Sequence, residues 1–241
     1  MKQKTELTAL ITGAASPIGR AIAHMLAREG INIVAHFNHS KIKTAKFCRE
    51  LEKCGIKAWP IQADFRKAGE AESLVKRAEK LAGPIGILVN NASLFTRSRI
   101  DDVTFRDLSG NMLVNAWAPL VLGRALHKPG RRECVVNILD SRITGGDREY
   151  AGYIISKTAL ESMTRMMALE FAPDMRVNGV APGLVLTKPS ENLKYRALAA
   201  SLPLERYCSP RDVAEAVLFL IKSDVITGQI VFVDSGRHIR K

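Results

Sequence analysis

The sequence predicts a single α/β domain in which helices cover both faces of a predominantly parallel sheet of about seven strands. Short apolar runs alternate with longer amphipathic segments along the chain, which is the pattern of repeated strand–helix units. The run at residues 85–89 is continuously apolar, as expected of a parallel strand that is covered on both faces. We therefore expect residues 1–241 to form one doubly wound, Rossmann-like domain.

The composition excludes several classes of protein. Hydrophobic residues make up 46% of the 241 residues, which is enough for one large core. The chain lacks an apolar run of about 18 residues, and residues 1–6 are mostly polar or charged, unlike a signal peptide. We therefore expect a cytoplasmic protein with no membrane contact. The four cysteines are scattered and form no Cys-x-x-Cys pair, so no metal site is predicted.

The net charge of +12 is compatible with a nucleic acid, an acidic carrier protein or a phosphorylated ligand as partner. The excess is concentrated at residues 38–57, which hold six Lys and Arg against two Glu, and a solvated helix face explains much of it. No basic run is interleaved with aromatic residues, and no zinc-finger or helix-turn-helix pattern occurs. We therefore expect a small-molecule substrate and no nucleic acid.

The first strand, predicted at residues 7–12, runs into a turn that begins at Gly13 and ends at Gly19. Ser16 is placed to cap the following helix, and Pro17 fits its first turn, where a missing N–H costs least. Such a helix start offers main-chain N–H groups and a positive dipole end to a pyrophosphate. Its place at the first strand-to-helix turn makes the glycine spacing a dinucleotide signature.

The second strand, predicted at residues 31–37, lacks the acidic residue that binds the ribose 2′-hydroxyl of NAD in such folds. His39, Ser40 and Lys41 follow it, and their side chains can donate hydrogen bonds and charge to a 2′-phosphate. The pattern favours NADP(H). Alternatively, these three residues only form a polar turn before the next helix, which is predicted at residues 42–54.

The third and fourth strands, predicted at residues 58–62 and 85–89, each end in a polar turn. Asp64 is placed either to accept from an adenine amino group or to cap the helix that begins near Lys67. Asn91 follows the fourth strand. Because open α/β sheets bind their ligands at the carboxyl ends of their strands, both turns are expected near a ligand site.

A long helical stretch at residues 101–122 contains Asn115, which is either a packed core amide or a partner for the site. The fifth strand, at residues 134–139, has Asp140 at its carboxyl end. This aspartate is therefore expected at the same edge of the sheet as the turns after the first four strands.

Tyr153 and Lys157 are four residues apart in the next predicted helix and therefore lie on one face. A nearby positive charge favours the phenolate and lowers a tyrosine pKa from about 10 towards the working pH, which a general acid or base needs. The same spacing also occurs by chance in ordinary amphipathic helices.

The sixth and seventh strands are predicted at residues 175–180 and 230–233. Between them, residues 184–207 form a long excursion with a helical middle at 191–200, and such excursions are often lids over a site. Ser209 is placed to cap the helix that leads to the last strand.

These motifs together make the chain resemble a short-chain dehydrogenase/reductase over nearly its whole length. Each motif is weak alone, whereas their order and spacing are very specific. The matching residues are Thr12, Gly13 and Gly19, Asn90-Asn91-Ala92, Asn115, Tyr153 and Lys157, Pro182 and Gly183 with Thr187, and Asp234 with Gly236.

The resemblance implies that Tyr153 is the proton donor and that Lys157 binds the nicotinamide ribose and lowers the pKa of Tyr153. It also implies that Asn115 holds a water of a proton relay, that Asp64 meets the adenine, and that the protein is a homotetramer. The implied cofactor contacts are Gly13, Ser16, Ile18, Gly19, His39, Ser40, Asp64, Phe65, Asn91, Ala92, Tyr153, Lys157, Pro182, Gly183 and Thr187.

Asp140 departs from the common family pattern, because a serine usually stands thirteen residues before the tyrosine. The Asp-Tyr-Lys arrangement is similar to that of pteridine reductases and dihydromonapterin reductases, whose pterin-holding serine and phenylalanine match Ser93 and Phe95. Reduction of a C=N bond delivers hydride to carbon and a proton to nitrogen, and a carboxylate beside Tyr153 can hold or relay that proton. Alternatively, Ser141 serves as the usual serine through a local bulge.

Pro17 is a second departure, and it argues against a pterin substrate. Pteridine reductases commonly carry an arginine at this position, and that arginine reaches the cofactor phosphates and the pterin. The leading hypothesis is an NADPH-dependent pteridine reductase. The alternatives are a 3-oxoacyl-carrier-protein reductase or general carbonyl reductase, whose carrier protein would dock on Arg131 and Arg132, and a non-catalytic NADPH- or nucleic-acid-binding module. The substrate-binding residues of the leading hypothesis are Ser93, Phe95, Asp140 and Tyr153.

Overall fold

A computed structural model describes residues 7–187 and 193–240 as one seven-stranded sheet of strand order β3-β2-β1-β4-β5-β6-β7. Every neighbouring pair of strands is parallel, so the predicted fold class is confirmed. The strands are β1 (Thr8–Ile11), β2 (Asn32–Phe37), β3 (Ala58–Gln62), β4 (Ile87–Asn90), β5 (Glu133–Ile138), β6 (Met175–Pro182) and β7 (Ile230–Val233).

Eight α-helices connect the strands. They are α1 (Pro17–Arg28), α2 (Lys41–Glu52), α3 (Glu70–Ala82), α4 (Phe105–Met112), α5 (Ala118–Leu126), α6 (Ala151–Glu170), α7 (Leu193–Ala200) and α8 (Pro210–Lys222). Strands β1 to β3 are added towards one side of the sheet, and β4 to β7 are added towards the other side, starting next to β1. The carboxyl ends of β1 and β4 therefore flank a crevice. Ligands of doubly wound sheets bind at such a switch point.

Two hydrophobic cores cover the two faces of the sheet, because successive side chains of a strand point to opposite faces. Ile33 and Val89 belong to the core that α1, α2 and α8 cover. Leu10 and Leu88 belong to the core that α3, α5 and α6 cover. Both leucines are fully buried, and each contributes about 1.5–3 kcal/mol relative to an exposed side chain.

The long helical stretch predicted at residues 101–122 is confirmed from residue 105 onwards, but it is not a regular α-helix throughout. A π-helical segment, Leu113–Trp117, separates α4 from α5. Pro119 has no N–H, so the carbonyl of Asn115 loses the donor that a regular α-helix would provide four residues later. The helix widens to a π-helix here because this donor is missing. Turns of π-helix occur frequently at functional sites.

Main-chain hydrogen bonds join the two ends of the excursion at residues 184–207. Leu186 N donates to Cys208 O at 3.0 Å, and Cys208 N donates to Leu184 O at 2.9 Å. The predicted helical middle is confirmed for α7, whereas residues 188–192 lie outside the described residues. The role of this excursion as a lid stays a prediction.

Within residues 7–187 and 193–240, no helix is long and apolar enough to cross a membrane. The same residues contain no cluster of three or more His, Cys, Asp or Glu side chains that would hold a metal ion. All four cysteines are unpaired, and Cys54 is the exposed one.

Candidate active site

The glycine turn between β1 and α1 is fixed by hydrogen bonds from the neighbouring strand. Asn91 Nδ2 lies 2.9 Å from Thr12 O, 3.0 Å from Gly13 O and 3.1 Å from Ser16 Oγ. Thr12 Oγ1 in turn accepts from the main-chain N–H groups of Asn91 and Ala92, both at 2.9 Å. The Nδ2 group of Asn91 therefore holds the turn in place, and the predicted contact of this residue with the cofactor stays a prediction.

Only glycine fits at the two glycine positions of the turn. A Cβ on Gly19 would lie 2.5 Å from the carbonyl oxygen of Gly13, and Gly13 itself has a φ of +63°. Ser16 caps α1 by accepting from Gly19 N at 3.2 Å, and Pro17 occupies the first helical turn, as predicted. The close packing leaves the N-terminus of α1 facing the crevice beside β4, which suits the pyrophosphate of a dinucleotide.

His36 supports the same turn from β2. Its Nδ1 accepts from Gly13 N at 3.2 Å, which leaves Nε2 to donate to Ala63 O at 3.1 Å. Burial lowers the pKa of His36 to about 4 despite the hydrogen bond to Ala63, so the neutral ring is the working form. Phe65 stacks on this ring at a centroid distance of 4.5 Å. The sequence placed His36 in the second strand and in a stretch similar to the NADPH-binding turn of pteridine reductases, but it did not predict this support of the glycine turn.

A cavity of about 220 Å³ opens at the carboxyl ends of β2 and β3. Asp64 lies in its wall, but its carboxylate is bound by Arg66, with Nε 3.0 Å from Oδ1 and Nη2 3.0 Å from Oδ2. These hydrogen bonds lower the pKa of Asp64 to about 2. The cavity is lined by His36, Asn38, His39, Ala63, Asp64, Phe65, Arg66, Ala92, Ser93, Leu94 and Val114.

Asp64 does not cap a helix, because α3 begins only at Glu70 and its N-cap is Gly69. That alternative is therefore wrong. The ion pair instead holds the Arg66 guanidinium 3.5 Å from His39 Nε2. Arg66 was not identified in the sequence, although an arginine two residues after Asp64 was a visible signal. Ser40 stands at the N-cap of α2 without capping it, so its hydroxyl is available to a ligand.

The proposed catalytic side chains meet at the carboxyl end of β5. The Tyr153 hydroxyl donates to Asp140 Oδ2 at 3.1 Å. Lys157 is 2% exposed, and its ammonium lies 5.8 Å from the centre of the Tyr153 ring. Among the described residues the only hydrogen-bond acceptor for this ammonium is Ile138 O, at 2.7 Å. Two of its three N–H donors are therefore unused among the described residues, which fits the hydroxyl groups of a ribose.

The pKa of Tyr153 shifts in the direction opposite to the sequence expectation. Burial raises this pKa first, the charge of Asp140 raises it further, and Arg142 only partly offsets them. Burial also lowers the pKa of Lys157 to about 8, against the influence of Asp140. The Tyr–Lys spacing alone predicted a lowered tyrosine pKa because it took no account of burial or of a carboxylate at 3.1 Å. Tyr153 is thus held as a neutral phenol, ready to donate a proton.

Asp140, and not Ser141, occupies the position beside the tyrosine. Both oxygens of Asp140 also accept from Arg142, with Nε 2.9 Å from Oδ1 and Nη2 2.8 Å from Oδ2. Ser141 begins a 3₁₀ turn, and its buried Oγ has no hydrogen-bond partner among the described residues. Sequence reasoning did not single out Arg142. Arg142 is the second residue after Asp140, and its side chain reaches the Asp140 carboxylate only because the 3₁₀ turn folds the chain back.

Asn115 is buried under the site with its side-chain amide fully used. Its Oδ1 accepts from Leu94 N at 2.7 Å, and its Nδ2 lies 2.9 Å from both Leu94 O and Ser156 Oγ. The packed-amide alternative therefore describes its side chain, and a contact of Asn115 with a relay water stays a prediction.

Phe95 stands over the same centre and is 52% exposed. Its ring stacks on Tyr150 at a centroid distance of 4.3 Å and meets Tyr153 edge-on at 4.7 Å. Ser93 is exposed nearby, and its Oγ lies 3.2 Å from Asn115 Oδ1. A flat ring can therefore stack only on the face of Phe95 that Tyr150 leaves open.

The remaining predicted contacts lie around the crevice at different depths. Ile18 is half-buried beside the glycine turn. Gly183 follows the buried end of β6 and packs so closely on Asp234 that a Cβ would lie 2.7 Å from its Cα. Thr187 is exposed and is the last described residue before the gap at 188–192. The structure therefore gathers Asp140, Tyr153, Lys157 and Phe95 closely, and leaves Thr187 without a described contact to them.

Comparison with known proteins gives matches over nearly the whole chain. Residues 13–238 match the protein family described as enoyl-(acyl carrier protein) reductase. A 3-oxoacyl-[acyl-carrier-protein] reductase of Staphylococcus aureus is 32% identical, with 98% of this chain and 100% of the relative covered.

Two solved structures share the fold over nearly the whole chain. FolM alternative dihydrofolate reductase 1 from Brucella canis, solved in complex with NADP, has a TM-score of 0.91 and 32% identity, covering 98% of this chain and 95% of its own. A blue fluorescent protein from a metagenomic library, solved with NADPH, has a TM-score of 0.88 and 31% identity, covering 95% and 97%. The first relative and the first structure point to different substrates.

Proposed function

The chain belongs to the short-chain dehydrogenase/reductase family, and from that premise we propose that it is an NADPH-dependent reductase of a C=N bond in a pteridine of the dihydropterin or dihydrofolate type. The observation that carries this proposal is the carboxylate of Asp140, which accepts from the Tyr153 hydroxyl where the common family pattern has a serine. The crystallised FolM relative, described as an alternative dihydrofolate reductase, supports it.

The cofactor is NADP(H), which two of the solved relatives contain. When bound, it supplies a hydride to the ring carbon of the substrate. Gly13, Gly19 and the start of α1 receive the pyrophosphate, and Lys157 donates its two free N–H groups to the nicotinamide ribose. At the other end of the crevice, Arg66 provides positive charge and hydrogen-bond donors for the 2′-phosphate, and His39 lies beside it.

Tyr153 completes the reaction by donating the proton. Its O–H bond breaks as an N–H bond forms on the ring nitrogen, and the phenolate then recovers a proton from solvent. Burial and Asp140 keep the phenol protonated until the substrate nitrogen becomes more basic. A developing alkoxide from a ketone would instead meet the negative charge of Asp140 and lack the second neutral donor that a serine provides.

Reduction of a 3-oxoacyl chain on a carrier protein is the second candidate, because the relative from Staphylococcus aureus has that name. The predicted docking residues do not support it. Arg131 and Arg132 precede β5, whereas Asp140 follows it. The two arginines and Asp140 therefore lie at opposite ends of this strand, roughly 20 Å apart. Arg131 is also partly neutralised by Glu79 at 3.3 Å.

The proposal is tested by NADPH oxidation with two substrates, 7,8-dihydrobiopterin and acetoacetyl thioester. We expect kcat/KM for the dihydropterin to exceed that for the thioester by at least about tenfold, since the site lacks the donor pair for a ketone. A preference for the thioester would establish the second candidate. Absence of turnover, with tight and salt-dependent binding to DNA, would favour a non-catalytic module.

Loss of the Lys157 charge should weaken cofactor binding in alkaline solution. Below its pKa of about 8 the ammonium carries three donors, and above it the amine carries two and no charge. We expect the Kd for NADPH, measured by its fluorescence, to rise severalfold between pH 7 and 9.5. Lys157→Met serves as the control, with weak binding at every pH. An unchanged Kd in the parent protein across this range would contradict the role of Lys157.

Arg66 should favour NADPH over NADH. In Arg66→Ser the 2′-phosphate loses a charge-assisted partner beside His39, so we expect KM for NADPH to rise about tenfold while KM for NADH changes little. Lys80→Ser is the matched control, because it removes the same charge from the distant end of α3. Equal changes for both cofactors would show that Arg66 acts on the shape of the cavity and not on the phosphate.

The homotetramer implied by the family resemblance stays a prediction. Light scattering on the purified protein distinguishes a tetramer from a dimer or monomer directly.

A further inference from the structure

Arg142 is held between two carboxylates at the catalytic centre. Its Nε and Nη2 form a two-pronged ion pair with Asp140, and its Nη1 lies 2.9 Å from Asp147 Oδ2. The side chain is only 11% exposed. A guanidinium bound on both sides in this way has little freedom to rotate, because any rotation breaks two charge-assisted pairs together.

Aromatic rings enclose the same guanidinium. Its central carbon lies 5.4 Å from the ring centre of Phe95, 5.2 Å from that of Tyr150 and 5.4 Å from that of Tyr153. Cation–π attraction within about 6 Å adds to the two ion pairs. Arg142 is therefore part of the wall against which a substrate ring on Phe95 would lie.

The hydrogen bonds of Asp140 show what this arrangement achieves. Its Oδ1 accepts from Arg142 N at 2.9 Å and from Arg142 Nε at 2.9 Å. Its Oδ2 accepts from Arg142 Nη2 at 2.8 Å and from the Tyr153 hydroxyl at 3.1 Å. A carboxylate has about four acceptor positions, so Arg142 occupies three of them and Tyr153 the fourth.

We propose that Arg142 is a positioning residue, which confines Asp140 to a single exchangeable acceptor position at Tyr153 and thereby selects a substrate that carries a ring N–H. This inference rests on the proposed function. When the O–H bond of Tyr153 breaks and its proton forms an N–H bond on the substrate, Oδ2 loses its donor. A ring N–H of the substrate then takes that position. A ketone or thioester without an N–H leaves the position empty.

The direct test is Arg142→Lys, which keeps the charge but loses the fork that holds both oxygens of Asp140. We expect kcat for 7,8-dihydrobiopterin to fall about 10- to 100-fold, with KM for NADPH within about twofold of the parent value. Arg148→Lys is the matched control, because it makes the same change on the same loop at an exposed side chain. Parent-like kcat in Arg142→Lys would overturn the proposal, as would an equal loss in Arg148→Lys.

Chemical rescue separates positioning from a general loss of folding. In Arg142→Ala, added methylguanidinium should restore part of kcat, whereas methylammonium at the same concentration should not, because only the planar fork spans both oxygens. Equal rescue by the two cations would overturn the requirement for a fork. Thermal melting of each variant identifies any that has not folded, and Arg142→Lys then carries the test.

A structural measurement keeps this inference distinct from the proposed function. Crystal structures of the parent and Arg142→Lys with NADP should show the Asp140–Tyr153 hydrogen bond in the parent and its loss in the variant, whatever the substrate is. An intact bond in the variant would overturn the role of Arg142. If the parent protein does not turn over dihydropterins but Arg142→Lys still loses the bond, the proposed function fails and the positioning role stands.

Discussion

Replacement of Tyr153 by phenylalanine is expected to lower kcat for 7,8-dihydrobiopterin by at least about 100-fold and to leave the affinity for NADPH within about threefold. In the proposed mechanism the phenol donates the transferred proton, and burial together with Asp140 keeps it protonated. Fold stability should change little, because Asp140 keeps its three hydrogen bonds from Arg142. Stopped-flow NADPH oxidation and fluorescence titration measure the two quantities.

The matched control is Tyr150→Phe, which removes the other hydroxyl beside Phe95 and preserves the stacked ring. We expect its kcat within about threefold of the parent value. Turnover that survives in Tyr153→Phe would show that the proton comes from another group. A comparable loss in Tyr150→Phe would show that the hydroxyl groups act through packing.

Replacement of Asp140 by serine should reverse the substrate preference. We expect kcat/KM for the dihydropterin to fall about 100-fold, because a neutral hydroxyl replaces the charged carboxylate that accepts from a ring N–H, whereas kcat/KM for acetoacetyl thioester should stay level or rise. The reason is that a serine supplies a neutral donor to the developing alkoxide and removes the repulsion. Parallel initial-rate assays with both substrates measure the change.

Ser141→Ala is the control for this substitution, and it also tests the bulge alternative. The Ser141 hydroxyl is buried without a partner, so its removal should affect neither substrate. Loss of activity in Ser141→Ala with no effect of Asp140→Ser would assign the usual serine role to Ser141. An equal loss on both substrates in Asp140→Ser would deny Asp140 a special role in pteridine reduction.

The fold and the position of the site followed from patterns that act locally. Continuous apolar strands, a capped helix after Gly13 and the spacing of Tyr153 and Lys157 are each specified within a few residues. The parallel topology then brings the strand ends together whatever the details of the loops. This is why Asp140 was expected at the carboxyl ends of the strands, whereas its place beside Tyr153 was implied by the family resemblance and agrees with the hydrogen bond between the two side chains.

Features that depend on tertiary contacts could not be predicted from local sequence patterns. The raised pKa of Tyr153 comes from burial and from the rotamer of Asp140, and neither has a sequence signature. Arg66 and Arg142 each fold back onto an aspartate two residues earlier, and the sequence shows that the two charges are near each other along the chain but not that they pair. The π-helical segment did have a signal, since Pro119 removes one helical donor, but its consequence depends on packing.

The most direct test of the central claim is a crystal structure with NADP and a dihydropterin. We expect the ring to stack on Phe95, the Tyr153 hydroxyl to lie within about 3.2 Å of a ring nitrogen, and Asp140 Oδ2 to accept from a ring N–H. A pterin ring held away from Tyr153, or an Asp140 carboxylate turned away from it with Ser141 in its place, would contradict the assignment.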